Sequence, residues 1–138
     1  IAAPDDLASA IFARSERAMR DAIAAVPDAE VTDAVTADGF EHPVTIRLRL
    51  AIRGDALELD FRGTDPQIAR PVNSPLNFTR AYSNYAVKCA FDPATPNNDG
   101  CFRPIALTAP EGSIVNPRRP APVWGRHLTG HYLPMLIL

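Results

Sequence analysis

Asp60, Thr64 and Arg103 carry the side chains in this sequence that are best suited to catalysis. Asp60 ends a strand-like alternation, and a carboxylate there could bind a metal, orient a substrate amide or act as a base. An Asp beside a Gly-Thr turn also commonly caps that turn, and Thr64 adds a hydroxyl to it. Arg103 could bind phosphate or carboxylate, or pair with Asp99 or Glu111. We predict catalytic roles for Asp60, Thr64 and Arg103.

Four further polar residues lie in the Pro- and Gly-rich stretches of the second half: Asn73, Asn97, Asn98 and Glu111. Proline fixes φ and glycine admits positive φ, so these stretches specify a backbone path. A carboxamide both donates and accepts hydrogen bonds, which would suit a cyclic amide or a phosphate. Asn in Pro-rich turns is also commonly structural. We predict that the four residues bind substrate.

The histidines and cysteines do not complete a site in the sequence. His127 and His131 are four residues apart and could reach one metal from a helix, but no third ligand accompanies them, so we predict no metal site here. Cys101 has no histidine nearby to activate it, and we predict that it is buried. We also expect Cys89 in the core. The sequence contains no phosphate loop, dinucleotide fingerprint or nucleophile elbow.

Composition excludes several classes of protein. The chain has 138 residues, 46% of them hydrophobic, which favours one folded domain over disorder. The net charge of −2 argues against nucleic-acid binding. Residues 1–70 hold 13 acids and 8 bases (8 − 13 = −5), and residues 71–138 hold 3 acids and 6 bases (6 − 3 = +3). The basic half could receive an anionic substrate, or it is ordinary surface. Without a signal peptide or a membrane-length apolar run, we expect a cytoplasmic protein.

Hydrophobic periodicity predicts an α+β fold. An amphipathic helix is expected from Pro4 to about Val26, before Pro27. A short strand is possible over residues 31–35. Residues 44–52 and 57–61 alternate with period two around a Gly-Asp turn, which predicts an antiparallel hairpin with one buried face. Asp60 falls on its outward face. The helix face expected to be buried comprises Leu7, Ile11, Phe12, Ser15, Ala18, Met19, Ala22, Ile23 and Val26.

The second half is predicted to hold a helix, short strands and a final helix. The second helix is expected over about residues 78–90. Short strands are expected at residues 105–108 and 113–115, and a last helix near Thr129. The apolar face expected for the second helix comprises Phe78, Tyr82, Tyr85 and Cys89.

Six short motifs, taken together and in order, resemble the hydantoinase B/oxoprolinase family. This family includes the B-type subunits of N-methylhydantoinases, the C-terminal half of 5-oxoprolinases and the large subunits of acetone and acetophenone carboxylases. The resemblance runs from about Ala13 to the end, and we predict that residues 1–138 are a single internal segment of such a subunit. Two arginines, Arg62 and Arg70, depart from the family pattern. The motifs are Asp60-Phe61 with Gly63-Thr64, Pro71-Val72-Asn73, Pro96-Asn97 with Gly100 and Arg103-Pro104, Ala109-Pro110-Glu111-Gly112, Asn116-Pro117, and Pro122-Val123.

The resemblance implies a segment of an ATP-dependent cyclic-amide hydrolase that forms a hetero-oligomer. A hydantoinase A-like partner would use ATP to activate a small cyclic amide, and a divalent metal is possible through residues outside this segment. Asp60 would then orient water or substrate, and Arg103 would face phosphate or carboxylate. The segment alone should be inactive. The alternatives are a segment of an acetone- or acetophenone-type carboxylase and a non-catalytic interaction module.

Overall fold

A four-stranded mixed sheet organises the chain in the computed structural model, which describes residues 4–138. The first three strands are antiparallel neighbours, whereas the fourth runs parallel to the third. A parallel pair needs a long crossover, and residues 61–104 provide it. The α+β class predicted from the sequence is confirmed. In order across the sheet the strands are β1 (Ala29–Ala37), β2 (Val44–Arg53), β3 (Ala56–Asp60) and β4 (Ile105–Thr108).

The predicted hairpin is confirmed, because β2 and β3 keep the strict alternation of their sequences. The positive φ of Gly54, 59°, makes the tight turn between them. One face of the sheet forms the core, and the other carries exposed arginine and glutamate side chains. Burying each leucine or phenylalanine contributes about 1.5–3 kcal/mol. The core residues of the hairpin are Val44, Ile46, Leu48, Ile52, Leu57, Leu59 and the following Phe61.

Strand β1 is longer than the predicted residues 31–35. It pairs along its whole length with β2, from Ala29 opposite Ile52 to Ala37 opposite Val44. Pairing to a long neighbour therefore extends the strand beyond its apolar residues. It is the edge of the sheet, and Val31 is exposed.

Helix α1 (Pro4–Ala24) is confirmed, but only part of its predicted apolar face is buried. Ser15, Met19 and Ile23 are buried, whereas Leu7 is 59% exposed and Ile11 is also exposed. The helix packs on β3 and on a 3₁₀ turn at Asp99–Phe102. These elements contact only the later turns of α1, so its first two turns are exposed to solvent.

Helix α2 (Leu76–Phe91) presents a different face to the core from the predicted one. Tyr85 is 62% exposed and Cys89 is exposed, so the expectation of a core cysteine was wrong. The side of α2 with small and polar residues faces inward, where the Thr79 hydroxyl donates to the Val115 carbonyl oxygen at 2.7 Å. The buried residues of α2 are Thr79, Ser83, Ala86, Val87 and Lys88.

Two further expectations for the second half needed correction. Residues 113–115 do not form a strand; Ser113 makes only isolated bridges, to Pro66 and Asn116, because its amide closes a turn onto Pro110. The last helix begins before Thr129 and is divided into α3 (Arg126–Gly130) and α4 (Tyr132–Ile137). Within residues 4–138, no helix is both long and apolar enough to cross a membrane.

Candidate active site and its neighbours

Asp60 lies at the end of β3 and is bound by the turn that follows it. One carboxylate oxygen accepts the backbone N–H of Arg62 at 3.0 Å, and the other accepts its Nε–H at 2.7 Å. Arg49 approaches the second oxygen to 3.6 Å. Although Asp60 is on the outward face as predicted, it is only 6% exposed, because these arginines cover it. The geometry is that of a turn cap.

The Arg62 hydrogen bond also favours the ionised form of Asp60. It lowers the pKa of the Asp60 carboxyl below its ordinary value, outweighing burial, which acts in the opposite direction. A carboxylate with a lowered pKa is a weak base, so Asp60 is better suited to holding charged groups in place than to accepting a proton.

Thr64 joins the same turn to β2. Its hydroxyl accepts the backbone N–H of Arg47 at 3.0 Å and donates to the Arg47 carbonyl at 3.1 Å. Asp65 accepts the Thr45 N–H at 2.8 Å. Thr64 is buried, and both hydrogen-bonding functions of its hydroxyl are used. It therefore continues the sheet where the ladder between β2 and β3 ends.

The outer face of the sheet beside Asp60 is a charged network. Arg49 lies 3.3 Å from Glu30 and 3.2 Å from Glu58, and Arg47 lies 3.4 Å from Asp65. A shallow groove of about 450 Å³ runs between these arginines and β1. Because each guanidinium that lines it already faces a carboxylate, the groove offers little free positive charge to an anion.

Asn73 is completely buried and holds two loops together. Its Oδ1 accepts the N–H of Ile68 at 3.0 Å, and its Nδ2 lies 2.8, 3.0 and 2.9 Å from the carbonyl oxygens of Ile68, Arg70 and Pro122. The amide thus links residues 68–70 to a loop about fifty residues later. No polar atom of this side chain is left for a substrate.

Arg103 lies at the other end of the β3–β4 pair. Its guanidinium is 3.2 Å from Glu16 and 3.6 Å from Asp99, and it stacks over the Phe12 ring at 5.7 Å. Asp60 is level with Thr108, three residues after the start of β4 at Ile105. At about 3.3 Å per residue, that start is already about 10 Å from Asp60, and Arg103 lies beyond it. Asp60 and Arg103 do not meet in one site.

The remaining predicted residues are dispersed. Asn98 accepts the Gly100 N–H at 3.0 Å and donates to the Ser15 hydroxyl at 2.7 Å, which fastens the 3₁₀ turn to α1. Glu111 is exposed and faces Arg118 at 3.5 Å. Asn97 is also exposed, but it lines a groove of about 480 Å³ beside α2.

Three further polar residues line that groove, none of which the sequence patterns had indicated: Asn77, Arg80 and Asn84. Their spacing of three and four residues places them on one face of a helix. This spacing could have indicated a polar face on the helix, but the apolar pattern drew attention to the face that contains Phe78.

A second, larger cavity is mainly apolar. It has a volume of about 680 Å³ and lies between the β1–β2 loop and α3–α4, with Phe40, Leu128 and Tyr132 among its walls. His131 is at its rim, and its ring centroid is 6.1 Å from that of His127. Among residues 4–138, no three His, Cys, Asp or Glu side chains are placed to share a metal ion. Cys101 is buried, as predicted.

Comparisons with known proteins agree on one family. The chain is 34% identical over 131 residues to the B-type component of a putative D-/L-hydantoinase from Pseudomonas sp. (strain NS671), covering 85% of this chain and 22% of that protein. It is 34% identical over 90 residues to the 5-oxoprolinase of Saccharomyces cerevisiae, covering 64% of this chain and 7% of the enzyme. The chain thus spans less than a quarter of the length of these relatives.

A solved structure has the same fold. The crystal structure of an ATP-dependent caprolactamase from Pseudomonas jessenii superposes with a TM-score of 0.75 and 22% identity, over 85% of this chain and 21% of that one. The family model described as hydantoinase B/oxoprolinase matches residues 2–138. The chain therefore belongs to the hydantoinase B/oxoprolinase family.

Proposed function

We propose that this chain is part of an ATP-dependent cyclic-amide hydrolase of the hydantoinase and 5-oxoprolinase type. The observation that carries the proposal is the family match over residues 2–138, and the similarity to a putative hydantoinase component and to a 5-oxoprolinase supports it. The fold shared with an ATP-dependent caprolactamase is consistent with it. A hydantoinase A-like protein or domain would supply the ATP-using step, in a hetero-oligomer in the cytoplasm.

The chemistry explains why ATP is needed. Resonance between the nitrogen and the carbonyl makes an unstrained amide a poor electrophile, so direct attack by water has a high barrier. Transfer of the ATP γ-phosphoryl to the carbonyl oxygen releases ADP and makes the ring carbon electrophilic. One water then adds to that carbon and the C–N bond breaks, giving a free amine and an acyl phosphate. A second water cleaves the acyl phosphate to a carboxylate and inorganic phosphate.

The residues of this segment would position the reaction rather than supply its metal. No metal-ligand set converges among residues 4–138, so a divalent metal in the hydrolase would be held by other residues. The catalytic roles of Asp60, Thr64 and Arg103 stay predictions. Their hydrogen bonds and ion pairs favour a supporting role, in which they fix the turns that form one wall of the site.

The test is ATP-dependent ring opening by the intact protein with its partner. Hydantoin, 5-oxoproline and caprolactam would be supplied with ATP, and phosphate and ring-opened product would be quantified. We expect turnover that requires ATP, the partner and this protein together. Carboxylation of acetone or acetophenone in place of ring opening would identify the carboxylase alternative. Full ring opening without this protein would show that it is a non-catalytic module.

A further inference from the structure

The groove beside α2 combines unpaired polar groups of two kinds. We define the α2 groove by its eight lining residues, of which six lie along one face of the helix. Its volume of about 480 Å³ lies in the range of small-molecule sites, about 300–1,000 Å³. The eight residues are Asn77, Arg80, Ala81, Asn84, Tyr85, Lys88, Asn97 and Phe102.

The asparagine side chains fall into two groups, those that make hydrogen bonds within the protein and those that make none. The chain has six, and three of them use their amides for internal hydrogen bonds: Asn73, Asn98 and Asn116. The other three are Asn77, Asn84 and Asn97, and all of them line the α2 groove. Their side chains make no hydrogen bond to any residue in the described range 4–138. The unused amide donors and acceptors of the chain are thus gathered in one place.

The positive charge of the second half is also partly free in this groove. The three acids of residues 71–138 are each paired: Asp92 with Lys88 at 3.1 Å, Asp99 with Arg103 at 3.6 Å and Glu111 with Arg118 at 3.5 Å. Arg80 is exposed on α2, and no carboxylate among the described residues lies within 4.0 Å of its guanidinium. Lys88 is held by Asp92, so Arg80 is the cation in the groove that is free to bind a ligand.

We propose that the α2 groove binds a cyclic amide that bears a carboxylate, with Arg80 holding the carboxylate. A guanidinium matches a carboxylate with two parallel hydrogen bonds, and carboxamides match both the N–H and the C=O of a ring amide. Ala81 and Phe102 provide apolar surface for the ring carbons. This inference rests on the proposed hydrolase function and adds to it a binding surface and the residue that would hold the substrate carboxylate.

Two substrates that differ only in the carboxylate test this proposal: 5-oxoproline and 2-pyrrolidinone. For the intact protein with its partner and ATP, Arg80→Gln should lower the ratio of kcat/KM for 5-oxoproline to that for 2-pyrrolidinone by about 10- to 100-fold, the effect of losing a charged hydrogen bond. Arg119→Gln is the matched control, because Arg119 is an exposed arginine outside the groove. It should leave the ratio unchanged. An Arg80→Gln enzyme with the ratio of the wild type would overturn the proposal.

Direct binding separates this inference from the proposed function. Calorimetric titration of 5-oxoproline into the intact protein measures binding without turnover. Arg80→Gln should weaken the binding of 5-oxoproline by about the same 10- to 100-fold. Asn84→Ala should weaken the binding of both 5-oxoproline and 2-pyrrolidinone, because both ligands contain the ring amide. If the complex has no hydrolase activity but still binds 5-oxoproline through Arg80, the proposed binding site would stand and the proposed hydrolase function would be refuted. If Arg80→Gln leaves the affinity for 5-oxoproline unchanged, the proposal that the α2 groove binds this ligand would be refuted. Arg80-dependent binding of inorganic phosphate without binding of 5-oxoproline would refute it too.

Discussion

Replacing Asn73 should destabilise this part of the protein more than replacing any surface asparagine. The side chain is 0% exposed, its Oδ1 accepts one hydrogen bond, and its two N–H groups are shared among three carbonyls. Three hydrogen bonds at about 1 kcal/mol each contribute about 3 kcal/mol, and a half-buried Ile68 N–H left without its partner adds about 1 kcal/mol. We therefore expect Asn73→Ala to lower the free energy of unfolding by about 4 kcal/mol.

Asn73→Asp distinguishes hydrogen bonding from packing, because the two side chains have nearly the same shape. A carboxylate would place a charged oxygen where the amide N–H groups now face three carbonyl oxygens. We expect Asn73→Asp to be at least as destabilising as Asn73→Ala at pH 7. It should recover partly below pH 5, because a protonated carboxyl can again donate one hydrogen bond.

Thermal unfolding and hydrogen exchange of the intact protein would measure these effects. Exchange should accelerate in peptides that contain Ile68 and Pro122, which Asn73 joins. Asn116→Ala is the control, since that amide donates a single bond, to Ala109 at 2.9 Å, and should cost about 1 kcal/mol. If Asn73→Ala cost no more than Asn116→Ala, our account of this buried amide would be refuted.

Two further changes test other contacts. Asp60→Asn should cost about 2 kcal/mol at pH 7, because it removes the charge that Arg62 pairs with. The folded pKa of Asp60 is lowered, so this stabilisation is present above its unfolded pKa of about 3.9 and is lost as the pH falls through the folded pKa. Urea unfolding at pH 7 and pH 3 should show the difference from wild type shrinking, and a constant difference would argue against the ion pair. Gly100→Ala would bring a Cβ within 2.1 Å of the Phe12 carbonyl oxygen, so we expect a loss of about 1–3 kcal/mol as α1 shifts, whereas a thermal midpoint equal to that of wild type would contradict this packing.

Local patterns were sufficient for the longer elements and for the family. Alternation in residues 44–61 predicted the β2–β3 hairpin, since a period of two places every second side chain on the core face. The motifs from Asp60 to Val123 indicated the hydantoinase B/oxoprolinase family, which the family model matches over residues 2–138. Motifs show which residue types recur together, but they contain no distances between side chains.

The candidate site was predicted less well, because its geometry depends on contacts between distant segments. Asp60 and Thr64 are in the turn where we expected them, but the hydrogen bonds that engage them come from Arg62 and from β2. The face that α2 buries depends on partners far away in the sequence, such as the Val115 carbonyl that accepts the Thr79 hydroxyl, 36 residues away. Arg80 and its neighbours line a groove together with Asn97 and Phe102, which their helical spacing alone could not specify.

The sequence by itself determined the two long helices, the hairpin and the family, because each rests on side-chain periodicity or on short ordered motifs. Only the tertiary structure decided which polar groups remain free. The parallel pairing of β3 with β4 separates Asp60 from Arg103. The amide of Asn73 makes all of its hydrogen bonds to backbone groups of the protein. A polar side chain is available to a ligand only when the fold leaves it without a partner, and those partners lie far away along the chain.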